Sequence, residues 1–86
     1  MKSFVYLITD EVGIHARPAG ELVKIAKQFK SKITVSANGK KAEATKLMAL
    51  MGLGVRQGMQ VQVDIEGEDD EAAFKILQDF FEENLN

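Results

Sequence analysis

The chain has 86 residues, 45% of them apolar and 28% charged, with a formal net charge of -2 and no cysteine. These values describe one small globular domain, residues 1–86, that buries somewhat over about 60% of its unfolded surface around a modest core. They argue against a nucleic-acid partner, leave no disulfide framework or thiolate metal site, suit a reducing compartment, and include no apolar run near the roughly 18 residues that span a membrane.

Met1-Lys2-Ser3 carries one charge ahead of a short apolar run without a cleavage-site pattern, so it reads as the start of a strand and not as a signal peptide. Ser3 to Thr9 is rich in β-branched and aromatic residues and predicts a first strand. Its buried face stays open, because Phe4/Tyr6/Ile8 and Val5/Leu7 are both apolar sets. Asp10 to Gly13 forms a loop. From Ala16 to about Phe29, the apolar positions Ala19, Leu22, Val23, Ala26 and Phe29 recur at steps of three and four, which is one face of a helix. Pro18 falls in its first turn, where a missing N–H costs nothing.

Ile33 and Val35 alternate with polar neighbours in a second strand over 31–36, and Asn38-Gly39 is a strong two-residue hairpin signal leading into a short strand over 40–43. The segment from Lys46 onward favours a short helix that Gly52 and Gly54 would end, with Thr45 placed to cap its start. Gln57-Gly58 reads as a turn. From Met59 to Glu66, Val61, Val63 and Ile65 alternate with Gln60, Gln62 and Asp64 in a half-buried strand. Asp69 suits an N-cap, Asp70 and Glu71 the first turn, and Ala73, Leu77, Phe80 and Phe81 share a face of a last helix running to about Glu83. The order β-α-β-β-α-β-α implies a two-layer α+β domain with helices on one face of a mainly antiparallel sheet.

Chemistry concentrates in Gly13-Ile14-His15-Ala16-Arg17-Pro18-Ala19, which holds the only His, the only Pro and one of two Arg residues. A helix beginning here offers the backbone N–H groups of Ala16 and Arg17 to an oxyanion. The positive dipole end disfavours imidazolium, so His15 is expected neutral near pH 7 and nucleophilic at a ring nitrogen. Arg17 adds a fixed charge with a fork suited to phosphate oxygens. Pro18 stiffens the first turn and Gly13 frees the approaching loop. A lone His in a small domain is more often solvated or incidentally buried, and helix-start placement beside Arg17 is what lifts it above that. No second His or Cys is at hand for a metal, and no nucleophile motif suggests a hydrolytic triad.

The seven-residue segment, the length and the element order resemble the HPr family of histidine-containing phosphocarriers of the bacterial sugar phosphotransferase system, as do Leu53-Gly54 and Gln57-Gly58 after the short helix. The resemblance covers essentially the whole chain. It implies an open-faced β-sandwich: four antiparallel strands with one face covered by three helices. It implies that His15 is phosphorylated at Nδ1 by enzyme I, with phosphoenolpyruvate as original donor, and passes the group to enzyme IIA domains, with Arg17 supporting. It further implies a cytoplasmic carrier without cofactor or membrane insertion, plausibly monomeric. The related nitrogen-regulatory branch shares the motif and stays open.

The resemblance also implies a docking patch of Leu47, Met48 and Met51 with Gly20 and Val23 nearby. Methionine suits a surface that must fit several partners, although Leu47 and Leu50 could equally be core. Lys24 and Lys27 could form a basic rim, against the simpler reading of a solvated helix face. Two other classes compete. An acylphosphatase-like hydrolase would use Arg17 on phosphate and Asn38 on water, but leaves His15 without a role. A binding module would make His15 incidental.

Many relatives from low-GC Gram-positive bacteria carry a regulatory serine at the start of the short helix. Lys46 stands there instead, with a charge opposite to phosphoserine. Thr45 is one residue off, a rotation of roughly 100° around a helix. Seryl-type regulation is therefore not expected here. Incubation with HPr kinase and ATP should leave the chain unlabelled, and stoichiometric phosphate on Thr45 would refute this.

Overall fold

A computed structural model of the chain describes residues 1–14 and 16–85. Its elements are β1 (Lys2–Leu7), α1 (Ala16–Ala26), β2 (Lys32–Ala37), β3 (Lys40–Glu43), α2 (Leu47–Met51), β4 (Gln60–Glu66) and α3 (Asp70–Asn84). The strands form one sheet in the order β1-β4-β2-β3, and every neighbouring pair is antiparallel. This is the α+β open-faced sandwich expected, with all three helices contributing to the core on one face.

The alternation of β4 decides which face that is. Val61, Val63 and Ile65 are buried while Gln60, Gln62 and Glu66 are exposed. Directly paired residues share a face. The register therefore sets Val35 of β2 and Phe4 of β1 on either side of Val63, toward the helices. The same register puts Val5 opposite Gln62 and Leu7 opposite Gln60, on the bare face. Phe4 and Tyr6 meet α3 edge to face: Phe4 with Phe74 and Phe81 at 5.7 and 5.6 Å, Tyr6 with Phe81 at 5.6 Å. Each such pair adds about 0.5–1.5 kcal/mol beyond area burial, which settles the inward face of β1. From the helices, Leu22 of α1, Leu50 of α2 and Leu77 of α3 complete the core, all fully buried. The β2–β3 hairpin turns on Asn38 and Gly39 with φ of 57° and 73°, the pair of left-handed residues that a tight hairpin of this hand needs.

Several local expectations need correction. α1 ends at Ala26, and Lys27 to Phe29 continue as a turn in which Gln28 N–H reaches Ile25 and Phe29 N–H reaches Ala26. Lys46, not Thr45, occupies the N-cap of α2, in extended backbone and without a side-chain bond. Gly52 ends that helix in right-handed conformation (φ -69°), and Gly54 supplies the left-handed residue, φ 67°.

Asp69 is at the N-cap of α3 but its side chain does not cap it. The carboxylate accepts instead from Lys30 N–H at 2.8 Å, from Ser31 N–H at 2.9 Å and from the Ser31 hydroxyl. It thereby clasps the entrance of β2 to that of α3, because two amides and a hydroxyl outcompete the local cap. The Ser31 hydroxyl, followed by the Lys30 and Ser31 amides, holds the Asp69 carboxyl below its ordinary value. A depressed carboxyl contributes stability that is complete above the unfolded value of about 3.9 and disappears as pH falls through the lower folded value. Asp69→Asn should lower Tm at pH 7 and flatten the loss of Tm below about pH 4. Thermal melts of both proteins from pH 7 to 2.5 check this, and parallel curves would contradict it.

Candidate functional site

The approach to α1 is fixed by short-range bonds. Val12 N–H donates to Asp10 Oδ1 at 2.8 Å and Gly13 N–H to the Asp10 carbonyl at 3.1 Å, which folds the loop back on itself. The chain then lies against a second loop, where Ile14 N–H donates to the Val55 carbonyl at 3.3 Å. Gly13 has φ +75°, and a Cβ placed on it would fall 2.3 Å from the Val55 oxygen and 2.8 Å from Arg56 Cα. Only glycine permits this approach, for want of space as well as for its left-handed backbone. Ile14 is buried beside it.

The Val55–Gly58 loop is a braced shelf. Gly58 N–H donates to the Ile8 carbonyl at 2.7 Å and Gln57 Nε2 to the Thr9 carbonyl at 3.1 Å. Arg56 N–H reaches Met59 Sδ at 3.2 Å, and Met59 N–H returns to the Arg56 carbonyl at 3.1 Å. Thr9 N–H also donates to the Leu85 carbonyl at 3.3 Å, so the end of α3 is tied to the same region.

α1 begins at Ala16 with no acidic residue in its first turn. The first N–H groups of a helix have no intrahelical partner, and no hydrogen bond among the described residues takes up those of Ala16 or Arg17. Both residues are exposed, and Pro18 is buried beneath them. Among the described residues these two amides have no partner, and the positive end of the helix lies beside them, an arrangement that binds anions. His15, its expected cap position and its protonation lie outside the described residues. Arg17 lines a surface hollow with Asp10, Pro18, Glu21, Glu83 and Asn84.

The expected docking residues sort by burial. Leu47, Met48 and Met51 are 39%, 77% and 39% exposed, an unusual apolar display on one turn-and-a-half of helix, while Leu50 alone is fully buried. Gly20 and Val23 on α1 are half-buried, and a Cβ at Gly20 would meet nothing within 4 Å. Lys24 and Lys27 are exposed. Asn38, the candidate water-orienting residue of a hydrolase, uses its amide to reach the Leu53 carbonyl at 3.4 Å, which braces the hairpin tip against the loop after α2. Little in the sequence marks Val55 and Arg56 as part of the site; the flanking glycines 54 and 58 and the arginine itself are the only local signals.

The family model described as the PTS HPr component phosphorylation site matches residues 2–83. Phosphocarrier protein HPr of Lysinibacillus sphaericus is 42% identical over 77 residues, covering 90% of this chain and 88% of that protein. Among solved structures, the histidine-containing phosphocarrier protein of Mycoplasma superimposes with a TM-score of 0.92 at 33% identity, over 95% of this chain and 93% of the other. HPr of Thermoanaerobacter tengcongensis gives 0.89 at 43% identity, over 95% and 92%, and HPr of that organism has also been solved as a dimer. No helix among the described residues is long and apolar enough to cross a membrane.

Gly13→Ala combines a strained backbone with a clash against the shelf. It should destabilise the fold by at least about 2 kcal/mol, a fall in Tm on the order of 10 °C for a domain this size. Differential scanning calorimetry checks this, and an unchanged Tm would mean that residue 13 does not rest on Val55.

Proposed function

The chain belongs to the HPr family of phosphocarriers of the phosphotransferase system, and we propose that His15 is its phosphoryl-carrying residue. The observation that carries this reading is the helix start at Ala16 and Arg17, whose amides have no partner among the described residues and which immediately follow residue 15 in sequence. Amides and dipole favour an oxyanion and keep an adjacent imidazole uncharged, so a nitrogen lone pair is available at neutral pH. The carrier accepts a phosphoryl group at Nδ1 from phosphorylated enzyme I and yields it to enzyme IIA domains during sugar uptake. Arg17 steadies the phosphoryl oxygens, and Gly13 and Pro18 hold the helix start in place.

Partner docking falls to Leu47, Met48 and Met51, with Gly20 and Val23 beside them and Lys24 and Lys27 as a basic rim. Adaptable, exposed methionines suit successive engagement of unlike partners. Each encounter is transient, so the working form is proposed to be a cytoplasmic monomer that needs no cofactor and turns over no substrate of its own.

With enzyme I and phosphoenolpyruvate, the protein should gain one acid-labile, base-stable phosphoryl group. His15→Ala should gain none and keep its Tm nearly unchanged. Phosphate incorporation and melting curves decide the matter: label retained by His15→Ala would overturn the assignment, and a large fall in Tm would mark His15 as a packing residue.

A further inference from the structure

We infer that Arg56 is a second phosphoryl-binding side chain of this site, reaching from the shelf as Arg17 does from the helix. The inference rests on the reading of His15 as phosphoryl acceptor. The chain holds only two arginines. One begins α1. The other has its Cα 2.8 Å from where a Gly13 Cβ would sit, against the segment that leads into residue 15. Its backbone is immobilised on both sides, by the bond of its N–H to Met59 Sδ and of its carbonyl to Met59 N–H, while its side chain is exposed.

Charge accounting favours a second cation. The ion pairs of the described residues join the Met1 amino group to Asp70 and Lys30 to Glu68, and involve neither arginine. Arg17 lines a surface hollow that Asp10, Glu21 and Glu83 also line. Arg56 lines no part of that hollow. A transferring phosphoryl group spreads negative charge over three oxygens, more than two amide dipoles and one guanidinium neutralise. A guanidinium is permanently charged and forked to take two such oxygens. In the transfer, the bond from phosphorus to the donor atom breaks with its electron pair returning to the donor, as the imidazole lone pair of His15 forms the new P–N bond. Arg56 exchanges no proton and contributes only its charge.

The test compares wild type, Arg56→Ala, Arg56→Lys and Arg56→Gln as acceptors from phosphorylated enzyme I, with kcat and KM measured separately at low and high salt. Arg56→Ala should lower kcat about tenfold, less than the roughly 10²–10³ lost with an enclosed oxyanion donor because Arg56 is open to water. KM should change little, and Arg56→Lys should recover part of the loss. Arg56→Gln keeps most of the stem and should match Arg56→Ala, which guards against an effect of packing. Equal kcat in wild type and Arg56→Ala would overturn the inference, as would a loss confined to KM that vanishes at high salt. Wild type that takes no phosphoryl group at all would overturn the reading of His15, and this inference with it.

Discussion

The seating of Gly13 and Ile14 on the Val55 carbonyl governs how this molecule presents its chemistry. Helix α1 could pack its apolar face, Ala19, Leu22 and Ala26, against the sheet with its first turn aimed in many directions. The close approach of residue 13 to the shelf removes that freedom. The shelf is in turn tied to the end of β1 through the Ile8 and Thr9 carbonyls. Rigid strands thus hold a loop, the loop holds the entrance to a helix, and the helix opens on two amides that have no partner among the described residues. A site for a small anion needs this kind of support, because unsatisfied donors that wander would be hydrated in many geometries and would favour no single one.

The packing of the domain divides its surface into unlike parts. On the covered face of the sheet, the aromatic contacts of β1 with α3 and the leucines of the three helices exclude water. The other face stays polar, apart from Val5 and Leu7. α2 contributes only Leu50 to the core and turns Leu47, Met48 and Met51 outward. Such exposure is unusual in a small domain, and its place on the helix neighbouring α1 is what supports the proposed docking role.

Much of this was legible in the sequence, and the parts that were not share a cause. Gln60 to Glu66 alternate so strictly that strand and buried face follow, and Asn38-Gly39 announces its hairpin because few other pairs tolerate two left-handed residues. The seven residues around His15 gather the side chains on which the proposed phosphoryl chemistry rests. By contrast, Asp69 and Thr45 look like helix caps when only neighbours in sequence are considered. Asp69 instead turned to Lys30 and Ser31, partners brought close only by the folded sheet. The buried face of β1 was ambiguous for the same reason, since its choice depends on Phe74 and Phe81 far along the chain. The shelf is the strongest case: no local pattern says that residue 13 lies on residue 55.

The central claim is that a phosphoryl group on this carrier is held by the amides that open α1. It is tested most directly by ¹⁵N-resolved NMR of the uniformly labelled protein before and after stoichiometric phosphorylation. The amide protons of Ala16 and Arg17 should move strongly downfield as they bond to phosphoryl oxygens, while those of Thr34 and Gln62 on the bare face of the sheet stay in place. Full phosphorylation with the Ala16 and Arg17 resonances unmoved would contradict it.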